Sequence, residues 1–217
     1  MSDMVDSKKF QELVKNIDIN ITNLQLEKLE IYLNMLVQYN KVMNLVSYKK
    51  WEHILNILIF DSVYLCKFIN SLTLPKNILS FDLGSGAGLP GIPLRIMWNK
   101  GIYNMIEIRE KRATFIANCL SSLKLQNTFI VPHRVEDFFK TINSKANLII
   151  SRAFMPWEKL LDLTYDYLDE NGFLIILALK EAPLNLPSLW KCGFQYEYII
   201  NKNKRYFWAL SKVVIND

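Results

Sequence analysis

The sequence predicts an α/β fold built on an open, mostly parallel sheet, and three observations predict it. Short apolar runs at residues 78–83, 103–108, 127–131 and 147–150 alternate with longer stretches of helical periodicity, the order expected of βαβ units. The first run leads directly into Asp82-Leu-Gly-Ser-Gly-Ala-Gly-Leu-Pro-Gly-Ile-Pro93, a turn holding four of the seven glycines, with Pro93 where a helix can begin. The run at 173–179 is apolar without alternation, which suits a strand covered on both faces.

Taken in order, residues 8–17 and 23–46 read as helices. Thr22 and Gln25 stand at capping-box spacing, and Leu26, Leu29, Leu33 and Leu36 recur at helical intervals. A third helix is expected over 51–70, and a linker at 71–77 containing Pro75 separates this part from the first strand. Residues 1–76 are therefore expected to form a helical extension and 77–217 the main domain. After the glycine turn come an amphipathic segment to about Trp98, a strand ending at Glu107, a helix over 110–124, and the strands at 127–131 and 147–150. Pro156 suits the start of a helix running to about Asp169, and Asn171-Gly172 reads as a turn. Residues 194–200 and 205–212 read as an antiparallel hairpin closing a seven-stranded sheet.

With 217 residues and 51% hydrophobic content, the chain can bury a full core. Cys66, Cys119 and Cys192 are too scattered for a metal site or a disulfide framework, so reduced packing residues and no metal are expected. The first nine residues hold no apolar signal-peptide core, and no apolar run approaches the ~20 residues that span a bilayer; a cytoplasmic monomer is expected. The net charge of +5 permits a polyanionic partner. Residues 95–145 carry nine Lys or Arg against four Asp or Glu, which accounts for the whole excess.

A strand, a glycine turn and a helix build a nucleotide site beyond the carboxyl end of a parallel sheet. Read from Gly86, the spacing Gly86, Gly88, Gly91 fits the dinucleotide fingerprint and admits an NAD-dependent oxidoreductase. That frame starts two residues late, however, and Pro90 and Pro93 remove amides that a pyrophosphate would need. Asp-x-Gly-x-Gly-x-Gly, the S-adenosylmethionine (SAM) loop of methyltransferases, fits better. Glu107, about 20 residues beyond the glycines at a strand end, is the candidate for the donor's ribose hydroxyls. Arg152 stands at the end of the strand over 147–150, where a buried cation needs an anionic partner.

The run Asp82 to Pro93, with its Leu-Pro-Gly-Ile-Pro continuation, closely resembles the signature of the RsmG family, also called glucose-inhibited division protein B. Tyr39-Asn-Lys-Val-Met-Asn-Leu-Val46 matches that family's amino-terminal signature, with Asn40, Lys41 and Asn44 in register, and Asp61-Ser62 matches the pair that follows. The resemblance implies a class I SAM-dependent methyltransferase fold with a helical extension, acting on N7 of a guanine in 16S rRNA. It implies that Gly84, Ser85, Gly86, Gly88 and Leu89 cradle the donor, that Val135 and Glu136 lie against its adenine, and that Arg152 serves the donor or the base. Asn40, Lys41, Asn44, Arg109, Arg112 and Lys180 are candidates for rRNA contact. The family's Arg-His pair before Asp61 is replaced here by Ile57-Leu58, which leaves a non-catalytic rRNA-binding protein with a relict SAM pocket as an alternative.

Guanine N7 carries an in-plane lone pair and no hydrogen, so its methylation needs alignment and no general base. Proximity and orientation can supply roughly 7 to 11 kcal/mol of such a barrier. The chain accordingly shows no Asn/Asp-Pro-Pro-Tyr motif of exocyclic-amine methylases, and no cysteine beside proline as in pyrimidine C5 methylases. In an RNA duplex N7 lies in a groove that side chains cannot enter, so an unpaired or flipped base is expected.

Overall fold

A computed structural model describes residues 4–17 and 19–213; residues 1–3, 18 and 214–217 of the two expected spans lie outside the described residues. The helical part comprises α1 (Ser7–Lys15), α2 (Asn23–Met43), α3 (Trp51–His53) and α4 (Phe60–Asn70). Asp6 caps α1 through Lys9 N, and the Thr22–Gln25 capping box of α2 forms in both directions, as the spacing predicts. The helix expected over 51–70 is continuous but under-wound: a π-helical turn over Ile54–Ile59 joins α3 to α4. The wider turn brings Ile54, Leu55, Leu58 and Ile59 together into the core.

The remainder forms β1 (Leu79–Leu83), α5 (Gly91–Met97), β2 (Ile102–Ile106), α6 (Glu110–Ser122), β3 (Thr128–Val131), α7 (Val135–Thr141), β4 (Ala146–Ser151), α8 (Trp157–Thr164), β5 (Leu168–Ala178), β6 (Trp190–Ile200) and β7 (Asn203–Lys212). The seven strands lie in the order β3-β2-β1-β4-β5-β7-β6; β1 to β5 are mutually parallel and β7 runs antiparallel to β5 and β6. The strand order reverses between β1 and β4, which is where an open parallel sheet places a ligand crevice.

Three local expectations change. Val135 and Glu136 open a helix, α7, that their motif did not announce. The segment after Pro156 stops at Thr164 and tightens into a 3₁₀ turn over Tyr165–Tyr167, so β5 begins at Leu168. Asn171-Gly172 then lies inside β5, where the register against β4 slips between Ala146 and Leu148. A Cβ at Gly172 would stand 3.0 Å from each of the Ala146, Asn147 and Asp169 carbonyl oxygens, so only glycine packs comfortably in this bulge.

Alternate residues of the central strands feed two cores, as strand geometry requires. Phe81, Leu83 and Ile149 face α7 and α8, with Phe138, Phe139, Leu160 and Leu161. Leu148, Ile150 and Ile175 face the other way, into one core with Leu29, Leu33, Leu36, Val63 and Leu65 of the helical extension and Ile92 and Phe115 of the main domain. The extension thus shares the core on one sheet face with α5 and α6. Tyr32 of α2 reaches through it and donates to the Ala87 carbonyl in the glycine turn at 2.8 Å.

At the opposite end of the strands Arg95 is 1% exposed, without a carboxylate partner. Its guanidinium donates to Thr128 Oγ1 and to the carbonyls of Trp98, Lys100, Gly101 and Gln126, gathering the chain that enters β2 and β3. Arg95→Met leaves four carbonyls, that of Trp98 buried, short of a donor and is expected to cost about 3 kcal/mol or more in chemical denaturation. A loss below about 1 kcal/mol would show that this cluster does not hold the strand starts together.

Candidate functional site

The site is built from the carboxyl ends of β1, β2 and β4. Gly84, Gly86 and Gly88 all have positive φ (70°, 58° and 81°), a backbone that disfavours other residues, and they fold the turn back on β2. Gly84 N and Ser85 N both donate to the Ile106 carbonyl, while the amides of Gly88 and Leu89 donate to the Ser85 carbonyl. The Ser85 hydroxyl donates to the Asp82 carbonyl, so this buried serine closes the turn with its own side chain. At the start of α5 the Ile92 and Leu94 amides are spent on the Gly88 and Pro90 carbonyls. Little is left there to hold a pyrophosphate, which removes the physical basis of the dinucleotide frame.

Over this turn opens a cavity of about 390 Å³. Gly84, Glu107 and Ile108 form one side, Val135 and Glu136 of the α7 start another, and Ala153, Phe154 and Met155 the third. Glu107 is 5% exposed; its Oε2 accepts from Gly86 N and its Oε1 from Arg109 N, both at 2.8 Å. Each oxygen keeps a further lone pair for a ligand. A fixed carboxylate with lone pairs to spare, beside Ile108 and Val135, suits the hydroxyls and ring of a nucleoside, and the residues present fit SAM.

Ser85, Gly86, Gly88 and Leu89 do not line this cavity: they build the turn beneath it, Leu89 with its side chain in the core. Arg109 and Arg112, expected at phosphates, line it instead, with Arg112 lying over Gly86. His133 and Arg134 also line it, unassigned from sequence. Asp82 points to the other face of β1, into the protein. Burial pushes its carboxyl up to about 7, against the pull of the Arg152 charge, and its Oδ2 has no hydrogen-bond partner.

A second cavity, of about 380 Å³, lies between the extension and the ends of β4 and β5. Leu45 to Tyr48, Ile57, Leu58, Leu177 and Leu179 give it largely apolar walls, and Asp61, Arg152, Tyr198 and Arg205 its polar floor. Arg152, expected at the donor or the base, lines this cavity and not the first. Ala153, held at φ 52°, lines both, so the two cavities meet at its backbone. Asp61 is 2% exposed; its Oδ1 accepts from the Tyr198 hydroxyl and its Oδ2 from Arg205 Nη1, each at 2.9 Å. Burial raises its pKa, opposed by Arg205 and Arg152.

Asn40, a candidate for rRNA contact, is buried: its amide nitrogen donates to the Tyr48 carbonyl and its oxygen accepts from Val46 N. It shapes the loop that walls the second cavity. Asn44 ends α2 in left-handed backbone and accepts from Lys49 Nζ, Lys41 is exposed in the last turn of α2, and exposed Lys180 offers its carbonyl to Trp208 Nε1. None of these three lines either cavity. Asp61, Tyr198 and Arg205 are 137 and 144 residues apart in sequence, a proximity that no local pattern announces.

The pattern of the GidB family, described as rRNA small subunit methyltransferase G, matches residues 25–185. The chain belongs to this family. Among curated relatives, a protein named ribosomal RNA small subunit methyltransferase G from Lawsonia intracellularis is 42% identical over 213 residues, covering 98% of both chains. Its namesake from Nitratidesulfovibrio vulgaris is 40% identical over 190 residues, covering 88% of this chain and 87% of that one. Solved structures resemble this GidB member in fold. A variant of MtNAS solved in complex with S-adenosylmethionine gives a TM-score of 0.59 at 15% identity, over 96% of this chain and 84% of that one. The putative methyltransferase yhhF from Escherichia coli gives 0.56 at 13% identity, over 70% and 86%. The class I methyltransferase fold expected of the GidB chain is thus its fold. No described helix is long and apolar enough to cross a membrane, and the described residues hold no cluster of His, Cys, Asp or Glu suited to a metal.

Proposed function

We propose that this GidB-family chain transfers a methyl group from SAM to N7 of a guanine in 16S rRNA. The observation that carries it is the pair of cavities meeting at Ala153: one has the features of a nucleoside pocket, and the other opens under the extension at the same sheet end. In this reading Glu107 holds the ribose hydroxyls, Ile108 and Val135 flank the adenine with Glu136 at its polar edge, and Arg112 over the glycine turn is placed to meet the donor's carboxylate. SAM supplies an electrophilic methyl on a sulfonium. Transfer breaks one S–C bond, forms one N–C bond and moves no proton, so the chain's task is to align N7 with the methyl across Ala153 and to keep water out.

The rRNA must present the guanine unpaired or flipped, since the second cavity admits a single base and not a duplex. The extension, residues 4–76 as described, forms the far wall of that cavity, and Lys41, Asn44 and Lys180 near the protein's exposed surface are the candidates for flanking phosphates.

The test is methyl transfer from labelled SAM to small ribosomal subunits, and separately to naked 16S rRNA, from cells lacking the modification, with the product nucleoside identified. Label in 7-methylguanosine is the expected result, and the better substrate dates the step in assembly. SAM binding without label in either RNA would instead mark a binding protein that retains its pocket.

A further inference from the structure

The second cavity holds polar atoms that nothing in the protein satisfies. Arg152 Nη1 is buried there without a hydrogen-bond partner, as is Nε of Arg205, although its Nη1 bonds Asp61. A buried, unpaired guanidinium nitrogen costs free energy unless a ligand completes it. Asp61 lies in the same floor. The Tyr198 hydroxyl and Arg205 fix its carboxylate in position while leaving unused lone pairs on both oxygens. The residues that carry a fixed acceptor and an unsatisfied donor, Asp61 and Arg152, therefore line one cavity with Leu58 and Leu177.

Resting on the methyl-transfer reading above, we infer that this floor reads the flipped base as guanine: Asp61 accepts from N1–H and the 2-amino group, and Arg152 Nη1 donates to O6. The order of groups fits the task. N7 and O6 are neighbours on the purine, and Arg152 adjoins Ala153 at the passage to the donor, so a base whose O6 meets Arg152 presents N7 towards the methyl. The Watson–Crick edge then lies towards Asp61, deeper under the extension. Adenine in this slot sets its 6-amino donor against the Arg152 donor and its N1 acceptor against a carboxylate. Both contacts turn from hydrogen bonds into conflicts, the kind of site that rejects an analogue far more strongly than an apolar pocket can. The apolar walls from Leu58, Leu177 and Ile57 supply the faces between which a base can be clamped. Ile57 and Leu58 stand where the family has Arg-His; in this chain the polar work of the cavity rests on Asp61, Arg152, Tyr198 and Arg205.

The experiment uses the full chain and 16S rRNA assembled by ligation, with the mapped target guanosine kept or replaced by inosine, which lacks the 2-amino group. For the parent protein, inosine should lower kcat/KM by about 10-fold or more, the loss of one hydrogen bond to a charged group. Asp61→Asn should transfer more slowly to guanosine, show a much smaller inosine penalty, and bind SAM unchanged by calorimetry. An inosine penalty of full size in Asp61→Asn overturns the inference, as does a tenfold loss of SAM affinity. Should Asp61→Asn fail to fold because Arg205 loses its carboxylate, Arg152→Met keeps the test open, since it removes the donor and Nη1 has no hydrogen-bond partner to lose. It is compared on guanosine and on 6-thioguanosine, whose sulfur accepts poorly. The parent should be penalised by the sulfur and Arg152→Met indifferent to it, and equal penalties overturn the inference. If the parent makes no 7-methylguanosine at all, the functional reading falls and the inference with it; normal transfer with undiminished penalties sinks the inference alone.

Discussion

Glu107→Ala is expected to weaken SAM binding by at least about 100-fold, with the fold kept. The carboxylate sits at the end of β2 with both oxygens already fixed by the amides of Gly86 and Arg109, so it is oriented before a ligand arrives. Two ribose hydroxyls bound to an ionised acceptor contribute about 1.5–3 kcal/mol each, and their loss together corresponds to two or more orders of magnitude in affinity. The substitution also frees the Gly86 amide, in the turn beneath the donor, so preorganisation is lost along with the contact. Equilibrium dialysis with labelled SAM measures it directly. Affinity within a factor of three of the parent would mean that the ribose is held elsewhere. Glu107→Gln, which retains one acceptor oxygen, should fall between the two.

The second large effect is expected at Gly91, where α5 starts against the sheet. A Cβ there would lie 2.4 Å from Asp82 Oδ2, 2.7 Å from Met105 Cε and 3.3 Å from the Tyr103 ring. The methionine tip can move, but the aspartate is buried beside a strand and has nowhere to go. Gly91→Ala should therefore push α5 off β1 and β2 at a cost of about 2–3 kcal/mol and distort the adjoining glycine turn. Gly193→Ala serves as the control: its nearest neighbours are 3.8 Å away, and its stability should change by no more than about 0.5 kcal/mol. Guanidinium denaturation of the two variants decides the matter. If Gly91→Ala is as mild as the control, the close approach does not limit this packing.

What could be read from the sequence was what the chain writes locally. The glycine turn, the capping box and the strand ending at Glu107 each depend on residues within a few positions of one another, so periodicity and spacing disclose them. Asn40 shows the limit. Its place in a motif marked it for function, yet its amide serves two backbone groups six and eight residues on. Arg95 and Tyr32 were invisible for a different reason: each looks like an ordinary helix residue until the loop that it ties arrives from elsewhere in the chain. The sequence marks Arg152 as a cation in want of a partner, but only tertiary structure tells which of two adjoining cavities it lines. The same holds for Arg109 and Arg112, whose charge suggests phosphates and which line the cavity beside Glu107.

The hydroxyl of Tyr32 on the Ala87 carbonyl, together with the shared core beneath the sheet, makes the amino-terminal helices poor candidates for a detachable cassette. A chain cut at the linker would bare the apolar side chains that α5, α6 and the sheet now share with these helices, and leave the glycine turn without its strut. Grafting these helices onto another methyltransferase, or trading them between distant relatives, would thus disturb the glycine turn as well as the core. The two parts of this architecture are inherited together.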